Sequence, residues 1–169
     1  MRAAKRLGLA VGLALLASMN AQAASDHSGG TFDVTATVTA SCATSISTLA
    51  FGTYDPASAS TGSTTLSVTC TNGTAYRIGA DKGTYGSAVT AREMKATGAD
   101  LLGYSLTIGT NGGTHLGSNW GNDTAAGSDT VDGTGSGSAL SVTINGNIAA
   151  GQYVAPGAYS DTVTVTVWY

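Results

Sequence analysis

Two stretches, one near each end of the chain, alternate between apolar and polar residues. In residues 31–40 (TFDVTATVTA), the apolar face consists of Phe32, Val34, Ala36, Val38 and Ala40. In residues 158–169 (AYSDTVTVTVWY), the apolar face contains Tyr159, Val163, Val165, Val167 and Tyr169. Because successive side chains of a β-strand point to opposite faces, this period of two, rich in Val and Thr, predicts a half-buried strand in each stretch.

Four weaker alternating stretches lie between these ends, at residues 64–70, 75–80, 101–108 and 140–148. Residues 90–96 fit either one helical turn or a short strand. The turn-forming sequences along the chain are Asp55-Pro56, Asn72-Gly73, Asn111-Gly112-Gly113 and Asn145-Gly146. Many short strands separated by such turns predict an all-β sandwich or barrel.

Residues 121–137 (GNDTAAGSDTVDGTGSG) have a different composition. They contain one large aliphatic residue, Val131, and therefore predict a long flexible connection between strands. Their three acids, Asp123, Asp129 and Asp132, follow the spacing of no calcium-binding loop. We expect solvated loop carboxylates here and no metal site.

The first 23 residues have the pattern of a secretory signal peptide. Arg2, Lys5 and Arg6 form a positive region, residues 7–17 are apolar, and Ala21-Gln22-Ala23 fits a cleavage site. An anchor helix is the weaker reading because the apolar run is too short to span a bilayer. The pattern predicts export and removal of residues 1–23.

Composition and motifs argue against several classes of function. Charged residues make up only 10% of the chain, and the formal net charge is −3. A nucleic-acid-binding surface is basic, so this balance excludes a nucleic-acid partner. The sequence contains no nucleophile elbow, zinc-protease motif, P-loop or dinucleotide fingerprint. We therefore predict neither an enzyme nor a cofactor.

The chain has two cysteines, Cys42 and Cys70, and both follow the predicted leader. In an oxidising compartment, a lone pair in a small domain is typical of a structural disulfide. A redox or nucleophilic cysteine would need a partner, but His27 and His115 lie in polar contexts rich in Gly, Ser and Thr. We therefore predict a disulfide between Cys42 and Cys70.

An ordered set of motifs extends over nearly all of the chain after the leader. It comprises Val38-Thr39-Ala40-Ser41-Cys42, Phe51-Gly52-Thr53-Tyr54-Asp55-Pro56, Leu66–Cys70, Arg92-Glu93-Met94-Lys95, Leu101–Leu106, Trp120-Gly121, Ile148–Gln152 and Pro156–Val167. In this order the motifs resemble the spore coat protein U domain family, whose fold is that of archaic (Csu-type) chaperone–usher pilus subunits. The resemblance covers residues 30–169, and residues 121–137 depart from it.

The resemblance implies an immunoglobulin-like β-sandwich that lacks its last strand, with residues 24–40 as an N-terminal extension and residues 41–169 as the pilin domain. The missing strand leaves a hydrophobic acceptor groove beside the C-terminal strand. By resemblance, the groove is lined by Tyr159, Val163, Val165 and Val167. The donor strand that fills the groove of a neighbouring subunit presents Phe32, Val34, Ala36 and Val38.

The resemblance also implies a function. The chain is expected to be a secreted structural subunit of a pilus (fimbria) that polymerises by donor-strand exchange, for surface attachment and biofilm formation. The implied partners are a periplasmic chaperone, an outer-membrane usher, and copies of itself or related subunits. Export would proceed through the periplasm to the cell surface.

Alternatives remain open at the level of sequence. Alternation does not say which sheet a strand joins, so residues 31–40 also fit the first strand of the chain's own closed sandwich. A spore coat or cell-surface coat protein of the same fold is an alternative function. A carbohydrate-binding adhesin module is a third, with Trp120 as a candidate stacking residue.

Overall fold

The structure is a computed structural model that describes residues 28–123 and 129–169. The chain divides into two units, residues 1–36 and residues 37–169. The predicted leader, residues 1–23, lies outside the described residues. No helix within the described ranges is long and apolar enough to cross a membrane.

The second unit is built from β-strands, and the described residues contain no helix. The strands are β1 (Cys42–Ile46), β2 (Ser60–Cys70), β3 (Ala75–Ala80), β4 (Arg92–Lys95), β5 (Leu101–Ile108), β6 (Val131–Thr134), β7 (Leu140–Ile148) and β8 (Val165–Trp168). The all-β prediction is confirmed.

The strands form two antiparallel sheets that pack as a β-sandwich. The larger sheet has the order β1-β2-β7-β5-β4, and the smaller sheet has the order β6-β3-β8. β1 is therefore an edge of the larger sheet, and β8 is an edge of the smaller one. An edge strand presents unpaired backbone N–H and C=O groups on its open side.

The core lies between the two sheets and follows from the alternation of side chains along each strand. β5 and β7 each bury every second residue, and the buried ones are the apolar ones. The buried apolar residues are Leu66, Val68, Cys70, Tyr76, Ile78, Ala80, Leu102, Tyr104, Leu106, Ile108, Trp120, Val131, Val142, Ile144 and Ile148.

Arg92 is a buried cation that ties several backbone segments together. Its guanidinium donates hydrogen bonds to the carbonyl oxygens of Ala80 and Asp81 at the end of β3, and to those of Val89 and Trp120. Burial lowers the pKa of Arg92 from its ordinary value. Hydrogen bonds to several carbonyl oxygens replace the hydrogen bonds to water that the guanidinium loses on burial.

Three strands have the predicted bounds: β3, β5 and β7. β2 begins at Ser60 rather than at residue 64, and residues 92–95 form a strand rather than a helical turn. β1 was not predicted, because only Cys42 is partly buried in it while its other residues are exposed. Because the strand has no buried face, its sequence does not alternate between apolar and polar residues.

The prediction that residues 121–137 are simply a flexible connection is wrong. β6 lies within this stretch and pairs with β3, and Val131 is fully buried in the core. Opposite Tyr76, a Cβ on Gly133 would lie 2.5 Å from the Tyr76 hydroxyl oxygen, so only glycine fits beside this ring. One apolar residue in a four-residue strand is too little to produce a recognisable period.

The two strongest alternating stretches have less regular structure than predicted. Residues 31–40 form no strand in the structure, and their side chains are exposed. At the C-terminal end, only Val165–Trp168 is paired as a strand, and residues 161–164 continue its alternation outside the strand assignment. A β-strand needs a neighbouring strand to pair its backbone N–H and C=O groups, and an alternating sequence does not by itself provide that neighbour.

The predicted disulfide between Cys42 and Cys70 is present. The two residues lie directly opposite each other in the register of β1 and β2. Ser41 and Thr71 form the adjacent pair, and the Thr71 N–H donates a hydrogen bond to the Ser41 carbonyl oxygen at 2.9 Å. Cys42 and Cys70 therefore occupy a non-hydrogen-bonded position, where facing side chains approach most closely.

Reduction of this disulfide should lower the free energy of unfolding by about 3–4 kcal/mol, because the bond closes a loop spanning 28 residues in the unfolded chain. Urea denaturation of the chain without residues 1–23, with and without a thiol reductant, measures the difference. A Cys42→Ser, Cys70→Ser double variant serves as control and should not respond to the reductant. A loss below about 1 kcal/mol would contradict the prediction.

Candidate functional site

An open groove of about 1150 Å³ enters the sandwich between its two sheets. Its first rim is the chain that follows β1, residues 46–54, and its second rim is residues 155–165, which lead into β8. The floor consists of side chains from the larger sheet and from the loop before β6, namely Met94, Leu102, Tyr104, Leu106, Trp120, Ile144 and Ile148.

The first rim lies against a patch of the larger sheet that has no side chains. Gly62 on β2 and Gly146 on β7 face each other in register. A Cβ on Gly62 would lie 2.8 Å from the Ala50 carbonyl oxygen, and one on Gly146 would lie 2.7 Å from the Phe51 ring. The two glycines therefore let the rim pack directly on the sheet.

Hydrogen bonds hold the same rim along its length. The Thr64 hydroxyl donates to the Ser47 carbonyl oxygen at 2.7 Å, and the Ser60 hydroxyl donates to that of Phe51 at 3.1 Å. The Tyr54 hydroxyl donates to the Ala149 carbonyl oxygen at 2.7 Å. The rim is thus fastened to the larger sheet and to the loop after β7.

The second rim is anchored to the loop that follows β3. The Asp81 N–H donates to the Thr164 carbonyl oxygen at 3.0 Å, and the Thr164 N–H donates to Asp81 Oδ1 at 2.9 Å. Both backbone groups of Thr164 therefore face β3. Because ladder bonds alternate along an antiparallel strand, the backbone groups of Val163, Val165 and Val167 face the open edge.

The predicted acceptor residues lie on one half-buried face, and three of the four line the groove. Tyr159, Val163 and Val165 are lining residues. Val167 packs against the hydrophobic core but is not among the residues that line the groove within the described chain. The open backbone edge and the apolar side chains thus occupy the same strand.

A polar contact crosses the middle of this groove. Tyr104 meets the Phe51 ring of the first rim at a centroid distance of 6.2 Å, and its hydroxyl donates to Asp161 Oδ2 of the second rim at 2.6 Å. We call Phe51, Tyr104 and Asp161 the central bar. Burial and the hydrogen bond to Asp161 raise the pKa of Tyr104, so its hydroxyl stays protonated as a donor.

Asp161 is the one charged residue among the described residues that line the groove. Its Oδ1 also accepts hydrogen bonds from the backbone N–H groups of Thr84 and Thr162, each at 2.8 Å. Asp161 is not among the residues that the sequence predicts to line the groove. The one indication of Asp161 in the sequence is that it is an acid on the otherwise apolar face of residues 158–169.

The predicted donor residues lie in a segment without regular secondary structure. Phe32, Val34 and Val38 are each 84% exposed, and Ala36 is exposed as well. Isolated exposed apolar side chains are ordinary on protein surfaces, but a periodic row of them indicates an unpartnered face.

The remaining candidate residues have structural roles. Asp132 accepts hydrogen bonds from Thr114, and Asp129 accepts one from the Asp123 N–H at 3.0 Å. The described residues contain no group of three or more His, Cys, Asp or Glu side chains placed to hold a metal ion. Trp120 is only 1% exposed, so its ring is not available for stacking on a sugar.

The structure is thus a β-sandwich with a groove beside one edge strand, and comparison with known protein families identifies the family. The Spore Coat Protein U domain profile matches residues 29–166. The chain therefore belongs to the Spore Coat Protein U domain family. Among curated protein sequences, none matches the chain significantly.

A solved structure shares the fold. It is described as the CsuC–CsuE chaperone–tip adhesion subunit pre-assembly complex from archaic chaperone–usher Csu pili of Acinetobacter baumannii. The matched chain is 19% identical over 79% of this chain, with a TM-score of 0.59. This chain covers 41% of the length of that chain, so the similarity concerns the β-sandwich alone.

The Asp81 carboxylate should stabilise the second rim at neutral pH. Burial, which raises the pKa of Asp81, is outweighed by hydrogen bonds from the Gly83 and Thr164 N–H groups, so the pKa lies below its ordinary value. A group with a lowered folded-state pKa contributes stability at neutral pH and loses it as pH falls through that pKa. We expect Asp81→Ala to lower the free energy of unfolding by about 1 kcal/mol at pH 7, since solvent screens this partly exposed carboxylate.

Urea denaturation at pH 7 and below about pH 4 tests this prediction, and the difference between wild type and Asp81→Ala should shrink in acid. Asp33→Ala, which removes an exposed carboxylate from the N-terminal segment, is the matched control. A deficit of Asp81→Ala that stays constant from pH 7 into acid would contradict the assignment.

Proposed function

We propose that this chain is an exported structural subunit of a chaperone–usher pilus that polymerises by donor-strand exchange. The observation that carries the proposal is the open groove beside β8 in a chain that also presents an exposed alternating segment, residues 31–40. In the polymer, residues 31–40 of one subunit enter the groove of the next. They add a strand to the smaller sheet.

The physical case rests on two kinds of interaction. Backbone groups on the open side of β8 gain hydrogen-bond partners, as in other recognition by strand addition. Apolar side chains that are exposed in the free chain become buried, and full burial of each large one contributes roughly 1.5–3 kcal/mol. Phe32, Val34 and Val38 are the large residues of this face.

The proposal includes the route to the cell surface. A periplasmic chaperone would cover the groove before assembly, an outer-membrane usher would catalyse the exchange, and copies of this chain or related subunits would follow in the fibre. The fibre would serve surface attachment and biofilm formation. The similarity of the sandwich to a chain of a chaperone–subunit complex supports the chaperone step.

A coat protein of the same family is the second candidate, favoured by the description of the family as a spore coat protein domain. A coat would extend in two dimensions, whereas donor-strand exchange through one donor and one groove builds an unbranched fibre. Electron microscopy of the purified assemblies distinguishes sheets from thin fibres. The carbohydrate-binding alternative receives no support, because Trp120 is buried.

A charge on the apolar face of the donor segment should block assembly. Val34→Asp places a carboxylate in an apolar groove at a cost of several kcal/mol, whereas Thr35→Asp places the same charge on the opposite face. We expect the first variant to remain monomeric and the second to form multimers that resist SDS and dissociate on heating. Gel electrophoresis with and without heating measures this. Multimers of Val34→Asp at the wild-type level would refute the donor assignment.

Donor and acceptor defects should complement each other in a mixture. Val163→Asp damages the groove but leaves the donor segment intact, and Val34→Asp does the reverse. Each variant alone is expected to stay monomeric, while the mixture forms dimers that cannot extend. Size-exclusion chromatography with light scattering measures the products, with Thr166→Asp, at an exposed position of β8 outside the groove lining, as the control for Val163→Asp. A mixture that remains monomeric, or that forms long fibres, would contradict exchange between copies.

A further inference from the structure

The central bar divides the groove into two apolar halves. Tyr104 lies between Leu102 and Leu106 on β5, and the three side chains point into the sandwich from alternate positions. Leu106 and Trp120 lie on one side of the central bar. The backbone N–H of Trp120 donates a hydrogen bond to the Leu106 carbonyl oxygen at 2.8 Å. Leu102 and its strand partner Met94 lie on the other side.

The middle of the groove is thus unlike its two halves. Phe51 and Tyr104 occupy it with aromatic rings, and Asp161 contributes a carboxylate bound to the Tyr104 hydroxyl. A bulky apolar side chain placed there would meet the two rings and remove water from a charged group without offering it a hydrogen bond. A small side chain avoids both penalties.

The apolar face of residues 31–40 has a matching sequence of sizes. Ala36 stands in its middle, between Val34 and Val38. Alternate residues of an extended chain are about 6.6 Å apart, and the same spacing separates the alternate residues of β5 on the groove floor. Val34, Ala36 and Val38 therefore have the same spacing along their strand as Leu102, Tyr104 and Leu106 have along β5.

We propose that the central bar sets the register of strand exchange, so that Ala36 of a second copy of this chain lies over Tyr104 and Asp161. Val34 and Val38 then enter the two apolar halves of the groove. This assignment holds for either direction of the inserted strand, because Ala36 is central to its face. The inference rests on the proposed function, since it specifies how one copy occupies the groove of another.

The test measures how strongly the groove binds peptides of residues 28–41. The receptor is the full chain without residues 1–23, carrying Val34→Asp so that its own copies leave the groove free. Fluorescence anisotropy compares the wild-type peptide with peptides carrying Ala36→Leu or Ala40→Leu. Ala40→Leu is the matched control because it adds the same bulk to the same face, away from the middle.

Ala36→Leu should weaken binding at least roughly tenfold, and Ala40→Leu should change it by less than about threefold. Equal binding of both variant peptides and the wild-type peptide would overturn the register while leaving the proposed function intact. A larger loss for Ala40→Leu than for Ala36→Leu would also overturn it. Failure of the wild-type peptide to bind would refute the proposed function and the register together.

A second variant tests the contact from the side of the groove. Asp161→Ala in the receptor removes the carboxylate and should return the Ala36→Leu peptide to within about threefold of the wild-type peptide. Thr166→Ala, at an exposed position of β8 outside the groove lining, should not. An unchanged penalty in a folded Asp161→Ala receptor would overturn the assignment. If that receptor does not fold, the peptide comparison on the Val34→Asp receptor decides alone.

Discussion

The smaller sheet ends at β8 with an open edge, and the core beneath that edge is reached through the groove. An edge strand with an apolar inner face is a template for pairing with another chain, so natural proteins cover or blunt such edges. Here the edge is accessible, and half-buried valines lie on its inner side. This open edge and the apolar groove beside it are the features around which the contacts of both rims are arranged.

Contacts within the chain hold both rims of the groove. The disulfide between Cys42 and Cys70 fastens β1 to β2, and the paired glycines Gly62 and Gly146 seat the rim that follows. Asp81 anchors the opposite rim through Thr164. A groove with preformed rims loses less conformational entropy on binding, so more of the interaction energy appears as affinity.

Much of the fold could be predicted from alternation, but the elements that shape the groove could not. β3, β5 and β7 have buried apolar faces and were predicted with their observed bounds. β1 and β6 were missed because β1 exposes nearly all its residues and β6 buries one apolar residue in a glycine-rich stretch. The central bar joins Tyr104 to Asp161 across 57 residues of sequence, a contact that only the tertiary structure creates.

Amide hydrogen exchange in the assembled protein tests the central claim most directly, since it reports on individual backbone hydrogen bonds. The measurement compares multimers with chains dissociated by heat, for residues 31–40 and for Val163, Val165 and Val167. Donation of residues 31–40 to the groove of another copy predicts that both sets of amides gain protection together on assembly. Multimers in which both sets exchange as fast as in dissociated chains would contradict it.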